Sequence, residues 1–120
     1  MCLNAILSGG SQVEHVLVIE QSPDVIKLVA SHYIKKFGAE RVEIREGDAY
    51  TWKPEKGQRW TYVWHDIFDD LCTDNLPLMT RLHRRFGKRC DWQGSWGREL
   101  LERERQREVK EKKRWGFRFI

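Results

Sequence analysis

A chain of 120 residues that is 40% hydrophobic and 33% charged is long enough for one packed core and too apolar to be disordered. No apolar run approaches the roughly 20 residues that span a bilayer, and no basic segment precedes an apolar core at the N-terminus. Neither a membrane anchor nor a secretory signal is expected, and the expected compartment is cytoplasmic. The net charge of +4 is unevenly placed: residues 1–80 carry 8 Lys/Arg against 12 Asp/Glu, residues 81–120 carry 14 against 6.

In chain order, Leu3 to Leu7 read as the last turns of a helix stopped by Gly9-Gly10. Residues 15–20 hold the run V-L-V-I-E, whose lack of polar alternation predicts a strand covered on both faces. Ser22 is a good N-cap, Pro23 suits the first helical turn, and Asp24 favours the positive end of the dipole. Ile26, Val29, Ala30, Tyr33, Ile34 and Phe37 recur at helical spacing, and Gly38 closes the helix. Arg41 to Arg45 alternate as a short strand around Val42 and Ile44, before a loop with Gly47, Pro54 and Gly57.

Tyr62 to Phe68 reads as a strand whose end turns polar at His65 and Asp66. Leu76 to Phe86 is predicted helical with Asp74 as a cap, and residues 88–93 as a further strand. Arg98 to Arg114 has the strongest helical propensity, with Glu99–Arg103, Arg107–Glu111 and Glu108–Lys112 at i,i+4. Its few apolar anchors, Leu100, Leu101 and Val109, predict weak packing. Trp115 to Ile120 is apolar and suits an extra strand or an edge cover. The alternation strand–helix–strand–strand–helix–strand predicts an α/β layered fold with a mostly parallel sheet. The expected division is an α/β domain over 1–97 and a charged helix with an apolar tail over 98–120.

Several residue types invite chemistry. Glu20 sits where α/β folds place an acid that holds a ribose by its hydroxyls. His65 beside Asp66 suggests a general base, although neighbours within a strand face opposite ways. Cys2, Cys72 and Cys90 form no paired motif and are expected to be reduced structural thiols; H-D-I-F-D-D lacks strict ligand spacing, so no metal is expected. Trp52, Trp60 and Trp64 are expected to cover one end of a small sheet. Arg81, Arg84, Arg85, Lys88 and Arg89 are a run of bases without an acid. Arg81, Arg84 and Arg85 share a helix face that could meet phosphates; cations completing a helix C-terminus are the plainer reading.

V-L-V-I-E-Q-S-P, R-E-G-D-A and Y-V-W-H-D-I-F together resemble the class I S-adenosylmethionine-dependent methyltransferases, a Rossmann-like family, over roughly residues 1–95. The resemblance implies that Glu20 binds the ribose hydroxyls, with Gln21 beside the adenine. It implies that Asp48 accepts from the adenine amine and that the Ala49 N–H faces a ring nitrogen. His65 and Asp66 match the strand end near the methyl group by position. The family's first strand and Gly-rich turn have no counterpart before Met1, so the chain looks like a truncated member that begins one strand and one loop too late. In the family that strand is central, between the second and fourth. Its loss leads us to expect a sheet that is incomplete or rearranged at its centre, or filled by a second copy in a homodimer. It also leads us to expect weak or lost cofactor binding, since the Gly-rich turn approaches the methionine part.

The implied activity is methyl transfer from S-adenosylmethionine to an unknown acceptor, a small molecule on grounds of size. The alternative is a non-catalytic binding module whose basic C-terminal region contacts nucleic acid or a protein partner.

Overall fold

In the computed structural model, residues 6–7 and 13–115 are described. The chain divides into two units, Met1–Glu55 and Lys56–Ile120. Both are mixed α/β with parallel strands.

The first unit is one β-α-β turn of chain. Strand β1 (Val16–Glu20) leads into helix α1 (Pro23–Phe37), which returns to strand β2 (Val42–Glu46). The strands pair in parallel from Val16↔Val42 to Glu20↔Glu46. Ser22 caps α1, its Oγ accepting from the Val25 N–H, and Pro23 occupies the first turn, where a missing N–H costs nothing. Gly38 ends the helix at φ +93°, a conformation that L side chains resist, while its N–H donates to the Ile34 carbonyl at 2.8 Å. The Gly38 carbonyl then accepts from Arg41 and Val42, which aims the chain into β2.

The core here is thin. Val42 and Leu7 are buried, with Val13, Val16, Val18, Tyr33, Phe37 and Ile44 packed around them. Ile6 and Leu7 are helical; the rest of the expected Leu3–Leu7 helix and Gly9-Gly10 lie outside the described residues. Contrary to the expectation of a strand covered on both faces, every residue of β1 is only half-buried. Helix α1 has no fully buried residue, and Leu28 is 78% exposed.

The second unit repeats the pattern with a better core. Strand β3 (Trp60–His65), helix α2 (Leu76–Phe86), strand β4 (Cys90–Ser95) and helix α3 (Arg98–Arg114) follow in order. The strands pair in parallel from Trp60↔Cys90 to His65↔Ser95. Met79, Leu82 and Phe86 recur at steps of three and four, so one face of α2 is buried. Leu101 is the only buried residue of α3; Leu100 and Val109 are exposed. Asn75, not Asp74, is the N-cap of α2, and Asp74 lies in a short 3-10 turn before it. Residues 116–120 of the expected terminal strand lie outside the described residues.

The expected parallel pairing is present in short ladders. The strands form two two-stranded ladders, β1–β2 and β3–β4. No described helix is long and apolar enough to cross a membrane.

Candidate functional site

In the first unit the candidates gather at the carboxyl edge of the parallel pair. Glu20 and Glu46 end their strands in register. Side chains in register on neighbouring strands share a face. The Glu20 carboxylate is oriented by its own loop, Oε1 accepting from the Ser22 N–H at 3.1 Å. Its Oε2 makes no hydrogen bond to another described residue. The Gly47 N–H donates to the Glu20 carbonyl at 2.9 Å, which brings the loop after β2 back against β1.

Asp48 follows in that loop and organises it. Its Oδ1 accepts from the Tyr50 N–H at 2.9 Å, and its carbonyl accepts from the Thr51 and Trp52 N–H groups. This is the local turn chemistry that Asp favours in any protein. Gln21 is exposed and Ala49 half-buried beside these two acids. The structure thus brings Glu20, Gln21, Asp48 and Ala49 to one edge.

His65 and Asp66 belong to the second unit, and the strand ends between them. His65 is the last residue of β3 and is 4% exposed; Asp66 is exposed in the loop beyond. They do not act as a pair. His65 instead joins a network that the sequence did not reveal. Val63 and His65 share the inner face of the ladder with Gln93 and Ser95, as the period of two requires. The Gln93 Nε2 donates to the His83 carbonyl at 2.6 Å, so its Oε1 is turned to His65 Nε2 at 3.2 Å. That oxygen can only accept, which places the proton of the neutral His65 ring on Nε2. His83 Nε2 is hydrogen-bonded to the buried Ser95 Oγ at 2.8 Å, and the two imidazole rings lie 5.4 Å apart.

Both rings are held neutral. Burial lowers the pKa of His65, with the Gln93 hydrogen bond opposing. Burial lowers His83 to about 4, assisted by the Arg98 guanidinium and by His65, with Glu102 opposing. Arg98 opens α3; its Nη2 donates to Thr80 Oγ1 at 3.1 Å and its Nε to Glu102 at 3.0 Å. Its Nη1 is buried without a hydrogen-bond partner among the described residues. An open cleft of about 550 Å³ is lined by Trp64, His83, Ser95, Arg98 and Glu102 among others.

A serine hydroxyl on an imidazole has the outline of a nucleophile and its base. Two facts argue against that use. A base with a pKa near 4 draws a proton weakly at neutral pH, and Ser95 is only 5% exposed. The network therefore ties α2 to β4. Gln93 closes the expected strand over 88–93, and Ser95 lies beyond that expected end, so neither side chain was singled out from the sequence.

Trp52 lies in the first unit, Trp60 meets Phe86 edge-on, and Trp64 stands outward, 43% exposed. Among the described residues, no three His, Cys, Asp or Glu side chains are grouped so as to hold a metal ion. No family model matches the chain, and no curated protein or solved structure is similar to it.

Proposed function

We propose that this chain is a methyltransferase-like domain whose first unit holds the adenosine part of S-adenosylmethionine. The observation that carries the reading is the meeting of Glu20, Glu46 and the Asp48 turn at the carboxyl edge of a parallel β-α-β unit. Ribose and adenine sites in open α/β sheets lie at such an edge. A diol donates two O–H groups, and the Glu20 carboxylate, oriented by the Ser22 N–H, offers acceptors for them.

In this reading β1 and β2 take the places of the family's second and third strands, and β3 that of the fourth. A Rossmann-like sheet is part of the proposal. Glu20 accepts from the ribose hydroxyls and Asp48 from the adenine amine, flanked by Gln21 and the Ala49 backbone. Asp66, exposed after β3, is the residue offered to a methyl acceptor by its place in the chain; His65, buried in its own network, takes no part. When bound, the cofactor supplies an electrophilic methyl group for displacement by a nucleophile. The protein's part is to orient it.

Calorimetric titration of the purified chain with S-adenosylhomocysteine and with adenosine tests the reading. The expected result is saturable binding of both ligands, since the proposed contacts are all to the adenosine part that they share. Glu20→Ala is expected to weaken both at least tenfold. Absence of saturable binding of either ligand, or binding indifferent to Glu20, overturns the proposal.

A further inference from the structure

We propose that the outer face of the β3–β4 ladder, with the basic cleft at its start, binds single-stranded nucleic acid. The argument concerns the second unit alone and stands apart from the adenosine site.

The outer face carries a row of exposed rings. Tyr62 is 71% exposed, Trp92 52% and Trp64 43%. Trp64 and Trp92 are stacked, centroids 6.2 Å apart and planes within 7°, and Tyr62 meets Trp92 edge-on at 6.2 Å. Large aromatic rings are among the most favourable side chains to bury, so three left in water on one face forgo a large stabilisation. Gly94 shapes the platform. A Cβ there would lie 2.6 Å from Trp92 Cη2 and 2.9 Å from Trp64 Cζ3, so the rings lie down over the backbone only because no side chain is present.

A cluster of cations adjoins the start of the same ladder. A shallow cleft of about 370 Å³ is lined by Arg59, Arg84, Arg85, Lys88 and Arg89, with no carboxylate among its lining residues. Arg59 and Arg89 immediately precede the first residues of β3 and β4. At about 3.3 Å per residue the aromatic row begins about 10 Å further along. Hydrogen bonds hold the cluster together. Arg59 donates to the Lys88 carbonyl at 2.8 Å and to Asp91 at 3.2 Å, and Arg89 donates to the Gln58 carbonyl at 3.1 Å. The dipole of α2 accounts for Arg84 and Arg85 at its last turn. It does not account for Arg59 and Arg89, which reach the cleft from other segments.

A row of exposed aromatic rings and a basic cleft on the same ladder match a chain of phosphates bearing unpaired bases. A duplex hides its base faces and cannot use the rings. A second copy of this chain seated face to face would bring another set of five cations against the first.

Fluorescence anisotropy of the full chain with a labelled oligothymidylate of about 16 nucleotides tests the proposal, at salt from about 50 to 200 mM. Binding that weakens steeply with salt is expected. Trp92→Ala and Tyr62→Ser should each weaken binding about tenfold with the salt slope unchanged, since stacking carries no counterions. Arg84→Gln with Lys88→Gln should reduce the slope by about 1.4, about 0.7 per phosphate contact. Circular dichroism identifies any variant that fails to fold, and the other ring variant then decides. Three results overturn the proposal: no binding at the lowest salt, binding indifferent to both ring variants, or a dimer in sedimentation that Trp92→Ala dissociates.

Discussion

Lowering the pH should unfold the second unit through His83, and the size of the effect follows from its surroundings. The unfolded ring titrates at 6.5, whereas burial and the Arg98 guanidinium hold the folded ring at about 4. Between those values the unfolded chain takes up a proton that the folded chain refuses. The stabilisation is therefore fully present above pH 6.5 and is lost as the pH falls from 6.5 towards 4. At about 1.4 kcal/mol per pH unit the ceiling is about 3.4 kcal/mol. The ring is partly exposed, and solvent screening reduces this to about 1–2 kcal/mol. Burial lowers His65 as well, so its contribution has the same sign. The assay is urea unfolding at pH 7.5 and pH 5, wild type against His83→Gln, which keeps a hydrogen-bonding group near Ser95. The wild type should lose about 1 kcal/mol more than the variant over that interval. Equal losses, or a ring resonance titrating near 6.5 in the folded protein, would refute the reasoning.

Two further outcomes follow from packing. Leu82→Ala, at a position with 0% exposure, should cost about 2–5 kcal/mol in denaturant unfolding, since it opens a cavity between α2 and the ladder. Gly97→Ala combines a φ of +73° with a collision against the Leu71 side chain. It should lower stability by at least about 1 kcal/mol, seen as a reduced melting temperature.

The local architecture was largely legible in the sequence. The Ser22 cap, the helical spacing from Ile26 to Phe37 and the Gly38 stop place α1 within two residues of its observed start and at its observed end. Helices α2 and α3 match their expected limits, because apolar period in the one and charge pairing in the other are local signals. Some pairings differ: Glu99–Arg103 forms at 2.6 Å, but Arg107 turns back to Glu104. Strand limits were less legible. β3 begins at Trp60 and stops at His65, because the polar Asp66 ends the pairing and Ile67 and Phe68 fall outside it. The edge formed by Glu20 and Asp48 could be placed from residue order alone. The His65–Gln93–His83–Ser95 network could not, since it depends on the register of β3 against β4 and on the turn of α2 above them.

Both ladders are parallel, and neither has a hairpin. Val16 meets Val42, and Trp60 meets Cys90, only after a whole helix has intervened. Closing such a crossover loses chain entropy before any ladder bond forms, so each unit should fold more slowly than a helical bundle of its size. The order of events during synthesis is set by the same connectivity. Among the described residues, β1 pairs with β2 of the same unit. That ladder can close while the ribosome is still making α2, so the two ladders form one after the other.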